Sequence, residues 1–412
     1  MSKRTKRNSL ISIFITFAIS SLSASIIFPI LAPLFLSHKE SIIIRDIPTY
    51  VRPILLGIFL SVFPMAQFIF SPLIGEFADR RGRKITFLIT ILMECIGYLF
   101  GAAGILWKHL SLLFIGRIIS GIAAGNVSTC LVSLVDLSQN EKTKTKYFSY
   151  GSAVAGIMFM IGPFIGGRLS DRSISNFFTL DLPMWVGGIL AFINFLIVAL
   201  IFKESLKESE MSKFDVIKAI HNVQLAFKTP DAKDLYIIYF FFLFALNMVY
   251  QFLPAIMVEK FDFTSVDIGD VSAVMGVVWI VGTIGITAIM HTSVRIKYVI
   301  FLFFLLFSVF SIFIPIPQKL TYFLIFVSIV VFISGAIWPI FTSAISNAAG
   351  HNMQGNVLGL SQSIQSLSMM LAPLIGGFLL QEHSNILFIV SSASAIVCCI
   401  LLTKVNDKLL KF

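Results

Sequence analysis

The stretch that decides the reading is IGEFADRRGRK, Ile74 to Lys84. Six charged residues fall in the nine positions from Glu76 to Lys84. The 23 residues before them (Pro53 to Gly75) and the nine after (Ile85 to Met93) carry none. A chain this apolar concentrates charge where its backbone leaves an apolar phase, so the stretch marks a turn between two buried runs. Gly75 permits close helix approach there, and Gly82 permits a tight turn that a Cβ would obstruct.

The rest of the composition agrees. Of 412 residues, 57% are hydrophobic and only 13% charged, with 42 Phe. A soluble domain would carry about a quarter charged residues, so lipid is the solvent. The net charge of +10 would suit nucleic acid only if the basic residues shared one exposed face. They sit instead in short segments between apolar runs, which fits membrane orientation and excludes a nucleic-acid partner. Cys95, Cys130, Cys398 and Cys399 lie inside apolar runs and read as packing residues. The six histidines (His38, His109, His221, His291, His351, His383) are widely separated at helix ends or in loops. No metal site, cofactor or enzyme constellation is expected. The absence of a Gly-x-x-x-x-Gly-Lys phosphate cradle argues against ATP as the energy source.

The basic start, MSKRTKRN, precedes thirty uncharged residues from Asn8 to Ser37. A signal-peptide core runs only about 7–15 residues, and a span needs about 20, so this is a first transmembrane helix. The same criterion gives twelve: 9–36, 52–77, 85–106, 110–136, 147–170, 183–202, 235–258, 268–291, 297–315, 320–346, 354–381 and 386–404. The long uncharged block from Leu320 is split at NAAGHNMQGN, where Asn, Gly and His supply turn chemistry. The expected organisation is a six-helix bundle over 1–202, a cytoplasmic linker over 203–234, and a second bundle over 235–412. Within the linker, FDVIKAIHNVQLAF has the spacing of an amphipathic surface helix. Placing the N-terminus in the cytoplasm assigns 22 of the 31 Lys and Arg to inside segments and 8 to outside segments, as the positive-inside rule requires. The halves repeat: GPFIGG (Gly162, Pro163, Gly166, Gly167) has its counterpart 210 residues later in APLIGG (Pro373, Gly376, Gly377).

These residues carry a resemblance that covers nearly the whole chain. Gly75, Asp79, Arg80, Gly82, Arg83 and Lys84 match Gly-x-x-x-Asp-Arg-x-Gly-Arg-Lys, the motif between the second and third helices of major facilitator superfamily transporters. QGNVLGLSQSIQSLSMMLAPLIGG and FPILAPLF resemble the drug:proton antiporter branch that includes tetracycline exporters. The resemblance implies an all-α integral membrane fold of twelve helices in two pseudo-symmetric six-helix bundles. It also implies a monomeric secondary transporter that moves a small amphipathic organic molecule by alternating access, as proton-coupled efflux, in a bacterial inner membrane with both termini cytoplasmic. An importer or siderophore exporter of the same fold is the alternative, and a non-transporting receptor is another.

In this family the motif latches the halves. Asp79 would face the positive N-terminal end of the eleventh helix, near Gln354, Gly355 and Asn356, and Arg83 would pair with Asp136. The reading beside it is that Arg80, Arg81, Arg83 and Lys84 serve orientation alone. The matching loop of the second half, MHTSVRIKYV, has neither acid nor glycine. Arg117, Gly121 and Gly125 resemble the family's fourth-helix motif, the glycines serving helix packing. GPFIGG resembles the fifth-helix antiporter signature, except that Met158 stands where the pattern has a further Gly. Glu94 is the one acid deep in a span. An intramembrane ionisable group is a functional candidate, so Glu94 and Arg117 are the proton-coupling candidates, expected to lie within about 6 Å in depth. Polar or aromatic residues at Ser20, Ser23, Asn126, Asn247, Gln251, Trp338, Asn347, Gln362 and Gln365 mark a candidate substrate cavity.

Overall fold

The computed structural model describes residues 3–37, 47–206, 230–290, 296–348 and 354–405. Twelve helical stretches among them are long and apolar enough to cross a membrane, and no strand occurs in the described residues. The expected linker helix, Phe214 to Phe227, lies outside them.

Two spans are not single helices. The first comprises Lys3–Ile26 and Phe28–Leu36. Pro29 has no N–H to donate to the preceding turn, and Ile30 N–H reaches only back to the Ile27 carbonyl, at 3.3 Å. The fourth comprises Leu110–Ala123 and Asn126–Asp136. Between them Gly125 N–H bonds the Ile122 carbonyl in the tighter i to i+3 manner. The second span leans into this gap. A Cβ at Gly125 would lie 2.8 Å from the Ile74 side chain.

The opening stretch is not a loop. Helix Arg52–Arg81 runs through the charged residues and helix Arg83–Leu106 starts again after Gly82 alone. Ion pairs one turn apart, Glu76–Arg80 and Asp79–Arg83, lie along the helix end and across the turn. Gly82 has φ +99°, a conformation that residues with a Cβ rarely adopt.

The remaining spans are Glu141–Leu169, Leu182–Ile201, Pro230–Phe261, Ser265–Met290, Ile296–Phe313, Leu320–Ala348, Gln354–Glu382 and Ser384–Lys404. The seventh is buried at most positions from Leu235 to Val258, which marks it as the centre of the second bundle. The bundles meet along two seams. In one, the second span crosses the eleventh so closely that a Cβ on Gly57 would sit 2.4 Å from the Pro373 carbonyl oxygen and 2.7 Å from Gly377 Cα. In the other, the fifth span packs on the eighth. Each span crosses once, so Gly82, Asp136 and Phe202 share one end of the bundle, the motif face. Trp107, Ser170 and Asp262 share the other, the far face.

Candidate functional site

At the motif face, one arginine gathers the charges. Arg83 is only 4% exposed. Its Nη1 donates to Asp79 Oδ1 at 2.6 Å and its Nε to Asp136 Oδ2 at 3.2 Å. The Arg83–Asp136 pair is the one anticipated from sequence. Glu204, just past the sixth span, was not anticipated. Its carboxylate accepts the backbone N–H groups of Arg83 and Lys84, both at 3.0 Å. It thereby caps the third-span helix where unpaired N–H groups and the dipole favour an anion. Ser205 Oγ donates to Asp136, and Lys84 Nζ to the Ala199 carbonyl. A carboxylate directly after an apolar run, in FKES, was the available signal.

All these contacts lie within the first half and the residues directly after it, and none reaches the second half. Asp79 remains half exposed, and the side chains of Gln354 and Asn356 lie outside the described residues. Around Gly75 no described atom comes within 4 Å of where a Cβ would stand, so the close helix approach expected there is not found among the described residues.

Deeper in the first half, Glu94 does not meet Arg117. Its Oε2 accepts Ser20 Oγ and Asn126 Nδ2, each at 3.1 Å, and Asn126 Nδ2 also reaches Ser20 Oγ at 3.0 Å. The first, third and fourth spans therefore converge on one buried carboxyl. The break at Gly125 lets Asn126 start a new helix beside it. Arg117 points to the second span instead, its guanidinium 5.3 and 5.0 Å from the ring centres of Phe59 and Phe63. The two proton-coupling candidates therefore face different neighbours. Arg117 shares the stripe of Gly121, which packs on Phe63, and Gly125, which packs on Ile74. That stripe belongs to the second span. Arg117 Nε is buried with no hydrogen-bond partner among the described residues. Ser23 is buried, and its hydroxyl likewise has none.

The second half offers amides and rings. Asn247 Nδ2 donates to the Leu243 carbonyl at 2.8 Å and lies 3.4 Å from Ser368 Oγ. Gln251 Nε2 reaches Asn247 Oδ1 and the Met369 carbonyl, both at 3.3 Å. Beside them Tyr250, Trp279, Trp338 and Tyr239 form a chain of edge-to-face rings with centres 5.9 to 6.1 Å apart. Trp279 was missed in sequence because one aromatic in an apolar span gives no sign of its facing. Gln362 is exposed and within 3.4 Å of the half-buried Gln365. Asn347's side chain lies outside the described residues. The motif glycines serve packing. Gly162 and Gly166 meet Ser25 and Ile26 of the first span, Gly167 meets Ser265, the Pro163 carbonyl meets Gly269, and Gly376 meets the Phe252 ring.

A twelve-span helical protein with two bundles and a buried polar centre has the architecture of a membrane transporter. The model for the Major Facilitator Superfamily matches residues 13–373, and the chain belongs to that superfamily. It is 28% identical over 279 residues to the class H tetracycline resistance protein of Pasteurella multocida, covering 66% of this chain and 64% of that protein, just under two thirds of its length. It is 27% identical over 359 residues to the quinolone resistance protein NorA of Staphylococcus aureus, covering 83% of this chain and 86% of that one. The crystal structure of a D-xylose–proton symporter shares the fold with a TM-score of 0.76 at 12% identity, covering 97% of each chain. This chain is thus a multi-pass membrane transporter, not an enzyme.

Proposed function

We propose that the chain is a secondary active exporter that exchanges protons for a small amphipathic organic molecule by alternating access. The supporting observation is the Glu94 cluster. An ionised carboxylate only accepts hydrogen bonds, and here it holds two donors, Ser20 and Asn126, from two other spans. Binding a proton turns Glu94 into a donor and weakens its hold on both. The first and fourth spans are then free to repack, which links protonation to the motion of the first half. The ring chain and amides of the second half provide the surface for an apolar, ring-bearing substrate. The resistance-protein relatives support the efflux direction.

At the motif face, taken as cytoplasmic from the distribution of Lys and Arg, Arg83 pairs with Asp79, whose carboxylate stays half exposed and so available to a further partner. Asp79 receives the N-terminus of the eleventh span, which starts at Gln354, when the halves close there, an interaction of about 0.3–1 kcal/mol at a solvated site.

The test is flux in proteoliposomes holding the purified chain, with a panel of amphipathic organic compounds and an imposed pH gradient. At least one compound should move against its own gradient when protons flow the opposite way. Flux indifferent to the pH gradient for every transported compound would refute proton coupling. Movement in the same direction as the protons would make the chain an importer.

A further inference from the structure

At the far face the two halves are joined by charge. Arg168, the last basic residue of the fifth span, donates through Nη1 to Asp270 Oδ1 at 2.5 Å and through Nη2 to Oδ2 at 3.4 Å. Asp270 lies in the second turn of the eighth span, so this two-pronged ion pair crosses from one bundle to the other. The guanidinium carbon also sits 3.6 Å from the ring centre of Phe164 on its own helix, a contact that helps hold the fork in place. Around it the backbones touch. A Cβ at Gly167 would come within 2.5 Å of the Ser265 carbonyl oxygen, and one at Gly269 within 2.5 Å of that of Pro163. The halves are therefore closed at this end of the seam.

We propose that Arg168 and Asp270 form the gate pair of the far face. The pair stabilises the state in which the far face is closed, and it must part for that face to open. The glycines allow the approach, and the ion pair biases it. Because the side chains are 37% and 46% exposed, the pair acts as a weak and reversible clasp rather than a lock. The inference rests on the alternating-access reading but on neither substrate nor direction.

The experiment places spin labels at Asn176→Cys in the first half and Gln318→Cys in the second, both exposed at the far face. The native cysteines are buried. Pulsed electron–electron distances are measured on the full chain in nanodiscs. The wild type should show a dominant short and a minor long separation. Asp270→Asn and Arg168→Gln should each raise the long-to-short ratio by about 1.4- to five-fold, the range of an exposed ion pair. Asp270→Glu, which keeps the charge, should stay near wild type, and the exchange Arg168→Asp with Asp270→Arg should return toward it. Two separations whose ratio none of these substitutions moves would overturn the gate alone. A wild type with a single separation under all conditions would overturn alternating access and the gate with it.

Discussion

The interiors of the two halves are built from different chemistry. In the first, three spans meet on one carboxyl, with Ser20 and Asn126 within 3.1 Å of Glu94. In the second, neutral amides lie beside four aromatic rings in edge contact. A carboxyl can change charge and thereby change what it holds. A ring chain cannot, but it offers faces and edges to many shapes of apolar molecule. The contrast suggests a division of labour in which the first half handles the proton and the second handles the cargo.

Substitutions that touch one half only can break this contrast. The largest effect is expected for Glu94→Gln, which keeps the shape and the acceptor but removes titration. Acceleration of flux by a pH gradient should vanish while exchange without a gradient persists, measured in the same proteoliposomes. Retained gradient dependence would make Glu94 structural. In the second half, Trp338→Ala removes the ring that touches both Tyr239 and Trp279. It should raise the substrate concentration for half-maximal flux about ten-fold, equivalent to about 1.4 kcal/mol, and leave the gradient response intact. A lost gradient response in this variant would blur the division. Asn126→Ala leaves Glu94 short of one donor, a buried loss of about 1–3 kcal/mol. Thermal unfolding should fall by a few degrees and gradient acceleration should be partial. Gln251→Leu is the smallest change, expected to shift half-saturation by about two-fold for polar substrates only, because its bonds at 3.3 Å are long.

What could be read from sequence follows the same physics. The span count was legible because a bilayer sets a minimum length that uncharged runs either meet or miss. The Arg83–Asp136 contact was legible because both residues sit at span ends on one face. The facing of Glu94 was not. Sequence gives the depth of a residue in a span but not which neighbour its side chain meets, and equal depth suggested Arg117. The glycine stripe of Gly121 and Gly125 held the missing information, since a stripe of small residues marks where another helix backbone lies, here the second span. The break at Gly125 was also hidden, because one glycine in an apolar run is compatible with a continuous helix. The cap by Glu204 was hidden by distance along the chain, 121 residues from Arg83.

The most direct test of the account is whether substrate binding exchanges for a proton at Glu94. The purified chain, in weakly buffered detergent solution, is mixed with a compound that the flux assay identifies, and the proton change is read with a pH indicator. The wild type should exchange protons with solution on binding, Trp338→Ala should do so at higher compound concentration, and Glu94→Gln should bind without any proton change. A proton change of wild-type size in Glu94→Gln would contradict the account and place the coupling group elsewhere.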